Sequence, residues 1–323
     1  MSSGRDRMRP RKPSAELLLG LGVLLGVAAF GAALAAGATV RAWQAFHVNY
    51  LFWTGLAFAG VVISAVLRLT DSRWGWTVRR LGECSAAFLP VSLLLYVGVA
   101  AGRASLAPDL HDLGRAKQAW LEPSFLLLRD GAALAVLATL ALAYVYFSLR
   151  ADLAPSGEGK RQAGGPLGAW LTRGWRGAEA EAARSRKVTA TLAPVLVLAY
   201  ALVFTLLGVD QVMALDPTWT STLFGAYFFI VNLYLGWAGL AAAAALARRS
   251  GFRNLGPAIH DDVLHSLGKL LFAFCFLAMD FFWSQFLQVM GETDFCIMKA
   301  GQGVENVFIS SSVATRAGRS AGY

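Results

Sequence analysis

Seven runs of about twenty apolar residues divide this chain of 323. An α-helix of that length crosses the hydrocarbon core of a bilayer. Backbone groups in lipid must be hydrogen-bonded within the segment, so such runs form helices. They lie at roughly Leu17–Ala36, Tyr50–Leu67, Cys84–Ala101, Gly131–Leu149, Thr189–Gly208, Thr222–Ala247 and Gly268–Met290. No alternation of period two competes with them. The composition is 56% hydrophobic and 15% charged, against about 45–50% and about 25% in soluble domains. The sequence therefore predicts an all-α integral membrane protein with about seven transmembrane helices.

The basic residues predict the orientation. Twenty-one of the 29 Lys and Arg fall on one side of the alternating spans, five on the other, and three in the tail. The rule that cytoplasmic loops are positive puts the N-terminus in the cytoplasm. The net charge of +9 thus belongs to membrane orientation, and no nucleic-acid surface is expected. The order is a basic N-terminus over 1–16, four spans over 17–149, a cytoplasmic linker over 150–188, three spans over 189–290 and a polar tail over 291–323. The basic start and Ala33-Leu34-Ala35 resemble a signal peptide. The length of the apolar run favours a retained helix. Gly22 and Gly26 form a GxxxG pair that admits a close neighbour.

Few residues can hold a metal or haem. Cys84, Cys275 and Cys296 have no metal spacing, and His47, His111, His260 and His265 form no facing pair at one depth. No redox cofactor is expected on this chain. No Gly-rich phosphate loop precedes a helix. Asp280, near the middle of span seven, stands out because an ionisable group at that depth is costly unless neutral, paired or hydrated. A functional role and a structural hydrogen bond both remain open for it. Asp210 and Asp216 flank the loop between spans five and six.

That loop carries the strongest motif, Asp210-Gln211-Val212-Met213-Ala214-Leu215-Asp216-Pro217-Thr218-Trp219-Thr220-Ser221-Thr222-Leu223-Phe224-Gly225. It resembles the D-x-V-M-S-L-D-P-x-W-x-S-T-x-F-G signature of the second quinone-binding membrane subunit of alternative complex III, a bacterial quinol:cytochrome c oxidoreductase. Three further blocks resemble the same family in order. They are Asn49 to Gly60, Pro123 to Asp130, and His265 to Phe274 with Lys269, followed by Trp283-Ser284-Gln285-Phe286. The family belongs with the NrfD-like, polysulfide-reductase-type subunits. The resemblance implies about ten helices in two four-helix bundles. Here one bundle and an incomplete second are expected, because the chain turns polar after Met290. Truncation, a split gene and a frameshift all fit that departure. Ser266 also replaces the Asp expected after the family's His.

The resemblance implies a subunit of the bacterial inner membrane. Its partners would be a multihaem cytochrome c, an iron–sulfur subunit, a sister NrfD-like membrane subunit and small cytochrome c subunits. Haems and iron–sulfur clusters would sit in those partners, and quinol or quinone could meet this chain. Its family-motif residues are Met213, Pro217, Trp219, Ser221, Thr222, His265, Lys269 and Gln285. The expected contribution is shielding of a quinol site, a proton route, or both. A purely structural anchor and a stand-alone transporter are the alternatives. Candidates for the route are Asp280, Ser284 one helical turn on, and Asp210 and Asp216 at the outer face.

Overall fold

The computed structural model describes residues 15–72, 74–106, 114–150, 168, 173–216, 219–249 and 259–301. Among them there are helices and turns and no strand. The helices are α1 (Ala15–Ala35), α2 (Thr39–Leu69), α3 (Gly75–Cys84), α4 (Leu89–Leu106), α5 (Arg115–Leu121), α6 (Pro123–Arg150), α7 (Ala178–Leu207), α8 (Phe224–Arg249) and α9 (Asp261–Gly301). A 3-10 turn, Ser85–Phe88, joins α3 to α4 in one span, Gly75–Leu106. Six helical segments are long and apolar enough to cross a membrane, and Leu19–Ala35 is a shorter apolar one. The protein is an all-α, multi-pass membrane protein with about seven spans.

The connections alternate between two ends. One end holds the α2–α3 turn, the close of α6, the start of α7, the close of α8 and the start of α9; its basic residues make it the basic end. The far end holds the start of α2, the close of α4, α5, the start of α6 and the α7–α8 loop.

The packing centre is α2, which touches α3, α4, α6, α7 and α8. In its apolar window 72% is buried, against 6% for the Asp261–Gln288 segment of α9. Lipid is as apolar as leucine, so membrane helices pack closely where small residues let backbones approach. On α2 these include Gly55, Ala57, Ala59 and Gly60. A Cβ on Gly82 would lie 2.6 Å from the Gly60 carbonyl oxygen, and one on Gly55 would lie 1.8 Å from Asn232 Oδ1. Larger residues there would force α3 and α8 away from α2. Phe58, Tyr200, Phe204 and Phe228 fill the middle between α2, α7 and α8, with the Tyr200 and Phe204 rings 4.3 Å apart.

The long linker separates two groups of spans in sequence, yet the packing crosses it. Helix α7 lies along α6 and α2. Arg150 Nε donates to Glu181 Oε2 at 2.6 Å and ties the helices at the basic end. Helix α1 touches chiefly α2, and nothing lies within 4 Å of where a Cβ on Gly22 or Gly26 would be. Helix α9 continues past Met290 to Gly301, into the segment expected as polar tail, with no proline to stop it.

Candidate functional site

The far end gathers buried charge from four helices. Helix α6 starts at Pro123, a residue suited to the first helical turn. Glu122 precedes it, and its Oε2 accepts from the Phe125 backbone N–H at 2.7 Å. That bond, with another from the Ser124 backbone, holds the Glu122 carboxyl below the usual range. The early start carries Arg129 and Asp130 two turns into the helix.

The close of α7 supplies the facing groups. Gly208–Val212 forms a π-helical turn, followed by the 3-10 turn Met213–Leu215. Gly208 allows the approach, since a Cβ there would lie 2.7 Å from Phe228 Cβ. Widening the helix frees backbone groups from the usual ladder. The Gln211 carbonyl, thus released, accepts from His47 Nε2 of α2 at 2.8 Å. A carbonyl only accepts, so this contact puts the hydrogen on Nε2.

The two carboxyls at the centre differ in their bonding. Both are fully buried. Asp210 accepts from Arg129 Nε at 3.1 Å, from Arg129 Nη2 at 2.5 Å and from Trp120 Nε1 at 3.1 Å. The Arg129 guanidinium lies over the Trp120 ring, 3.8 Å from its centroid. Asp130 accepts from Gln211 Nε2 on Oδ2 at 2.6 Å. Its Oδ1 has no hydrogen bond and stands 3.9 Å from Arg129 Nε. Buried polar atoms are nearly always bonded. Here several that are not belong to the same cluster, including Arg103 Nε and Nη1 and His47 Nδ1. Arg103 is buried and acts electrostatically on both carboxyls. Two aspartates, two arginines and a histidine therefore form one nearly balanced cluster. A cleft of about 230 Å³, lined by Gln44, His47, Ser105 and Leu215 among others, opens at the far end and meets the cluster at His47.

Of the residues expected from sequence, only Asp210 enters this cluster. Asp216 is exposed. Met213, Ser221 and Gln285 come together beside it. The Met213 sulfur accepts from the Ser221 backbone N–H at 3.4 Å, and Ser221 Oγ lies 2.9 Å from Gln285 Oε1 and from Gln288 Oε1. This contact clamps the α7–α8 loop to α9. Trp219 packs edge-on against Phe224 at 5.3 Å. Thr222, His265, Lys269 and Asp280 are exposed. Ser284 Oγ donates to the backbone carbonyl of Asp280 at 2.9 Å, one turn back. No described contact joins Asp280 to the far-end cluster. Pro217 lies outside the described residues.

Asp130, Arg129, Gln211, His47 and Arg103 are not among the site residues expected from sequence. Through Gln211, His47 and Asp130 share one depth. The available signal was the acid–base pair Arg129-Asp130 at the head of an apolar run. No protein-family model matches this chain, and a comparison with curated proteins finds no significant match. Fold and site together define a multi-pass helical membrane protein with a buried ionic cluster near one end.

Proposed function

We propose that this chain is an integral membrane subunit of a respiratory quinol:electron-acceptor oxidoreductase of the bacterial inner membrane, its N-terminus in the cytoplasm. Its contribution is a proton route beside the site of quinol oxidation. Electrons pass through haems and iron–sulfur clusters held by partners: a multihaem cytochrome c, an iron–sulfur subunit, a sister NrfD-like subunit and small cytochrome c subunits. Quinol oxidation releases two protons with two electrons, so a buried group that can take a proton is required.

One observation carries the reading. Asp130 keeps an oxygen without a hydrogen bond, in a cluster reached by a cleft that His47 lines. Asp130 can gain a proton on Oδ1 and keep its bond from Gln211. Asp210 would weaken three charge-assisted or indole bonds by doing the same. Asp130 is thus the carrier, and Asp210 with Arg129 is the fixed ion pair beside it. The small volume of this cleft favours proton handling over shielding. About 230 Å³ is below the ~300–1,000 Å³ of pockets that enclose a whole ligand. At this cleft the chain would meet at most the polar end of a quinol, and its part there is proton handling.

The test is purification from native membranes with an affinity tag on this chain. The expected preparation contains haem-staining partners and reduces cytochrome c with quinol. A chain that purifies from those membranes without any haem protein, and without quinol oxidation, would overturn the reading.

A further inference from the structure

A second and larger cleft, of about 530 Å³, opens at the basic end between the α2–α3 turn, α6 and α7. Four arginines line it: Arg68, Arg79, Arg80 and Arg186. Arg80 is engaged by Glu83 and Ser148. Arg79 is only 5% exposed, and its Nε makes no hydrogen bond, with Glu83 Oε1 3.6 Å away. The Arg79 guanidinium is held over the Trp76 ring, 4.1 Å from its centroid. Arg68 and Arg186 have no carboxylate partner among the described residues. Among the described residues, Asp71 at the rim and Glu83 behind them are the acids that stand against these four cations.

Guanidinium groups collected around a cleft match phosphate oxygens in charge and in fork geometry. The rest of the lining identifies the kind of phosphate. Leu67, Ala190 and Ala193 form an apolar wall beside the arginines. Arg68 stands in the last turn of α2 and Arg79 in the second turn of α3, where apolar helix gives way to a basic loop. A ligand at that level has an anionic head beside a body that stays in lipid. Basic pockets between membrane helices on the cytoplasmic side recognise anionic lipid headgroups in this way. We propose that this cleft binds the phosphodiester headgroup of an anionic phospholipid. The surplus of two positive charges selects a net-negative headgroup over a zwitterionic one.

The experiment is native mass spectrometry of the full chain in mild detergent, titrated with phosphatidylglycerol or phosphatidylcholine. The expected result is one phosphatidylglycerol retained per chain, in preference to phosphatidylcholine. Removing two cations with Arg68→Gln and Arg186→Gln should weaken retention roughly thirty-fold. Arg186→Gln alone changes one exposed side chain and should weaken it roughly five-fold. Arg249→Gln, at the same end but away from the cleft, should leave retention unchanged. Equal retention of the two lipids would overturn the proposal, as would an equal loss with Arg249→Gln. Inorganic phosphate at millimolar concentration should not displace the lipid; displacement would assign the cleft to free phosphate and overturn the lipid.

Discussion

Both ends of this molecule bury carboxylates among arginines, and they bond them differently. At the basic end, Glu83 Oε1 accepts from Ser64 Oγ at 3.0 Å and from Ser148 Oγ at 2.8 Å, while Oε2 accepts from Arg80. Every oxygen is occupied. At the far end, Asp130 keeps Oδ1 open. A buried carboxylate with both oxygens bonded loses bonds when it is protonated. A buried carboxyl with an open oxygen can change its charge. The same ingredients therefore give a tether at one end and a carboxyl with an open oxygen at the other, which the proposed function takes as the proton acceptor. The two are not continuous. Thr54 hydrogen-bonds Ser92 at 2.8 Å, and the next buried polar side chain along α2 is Ser64. Ten residues of helix, about 15 Å, separate them, with Phe58, Val61 and Val62 fully buried between.

The largest effect should come from breaking the tether. Glu83→Ala leaves Arg79 and Arg80 beside an empty partner position. Removing one member of a buried ion pair costs about 3–5 kcal/mol. Thermal unfolding of the purified chain should show a large drop in midpoint, or no folded protein at all. A midpoint equal to that of the parent chain would mean that Glu83 is no tether, and the contrast between the ends would collapse.

At the far end the two aspartates should separate. Asp210→Ala removes the partner of Arg129 and Trp120. Charge-assisted bonds contribute about 1.5–3 kcal/mol each, partly offset because Arg129 retains Asp130 nearby. A loss of about 2 kcal/mol is expected in denaturant titration. Asp130→Asn should cost under about 1 kcal/mol, since an Asn oxygen still accepts from Gln211. Its effect falls on turnover instead: quinol oxidation by the assembled complex should drop by about a hundredfold, the scale of a lost proton-transfer group. Full turnover in Asp130→Asn would remove the proton carrier and leave a structural anchor.

The spans were legible in the sequence because length and apolarity suffice to define them. The site was not, for a related reason. A run of apolar residues is read as ending at its first charge, so the spans were placed from Gly131, Cys84 and Thr189. The helices begin earlier, at Pro123, Gly75 and Ala178. Each extra stretch carries charge, namely Arg129 with Asp130, Arg79 with Glu83, and Glu181. Those charges are tolerated because each meets an opposite one, within the helix for Arg79 and Glu83 and on another helix for Arg129 with Asp210 and Glu181 with Arg150. The same rule leaves His47 outside a span two that begins at Tyr50, although α2 starts two turns before it. The buried role of Asp210 depends on Arg129, 81 residues away. Conversely, Asp280 attracts notice because it lies within an uninterrupted apolar run, and depth in sequence is not burial in the fold.

The smallest effect is expected at Asp280, and it gives the sharpest test of where the proton travels. Asp280 lies on an exposed face of α9 with Phe276, Met279 and Trp283. Ser284, its neighbour one turn on, spends its hydroxyl on the Asp280 backbone carbonyl rather than on the carboxyl. The side chain joins neither the tether at the basic end nor the cluster at the far end. Asp280→Asn replaces a side chain that makes no described contact, so no loss of stability is expected. In proteoliposomes holding the assembled complex, protons released per electron should match the parent value, whereas Asp130→Asn should stall turnover. The reverse outcome is equally readable. If Asp280→Asn lowers the proton ratio while Asp130→Asn does not, the route runs along α9. In that case the open oxygen of Asp130 is a structural feature, and the working carboxyl is one that this chain leaves exposed for a partner helix to cover.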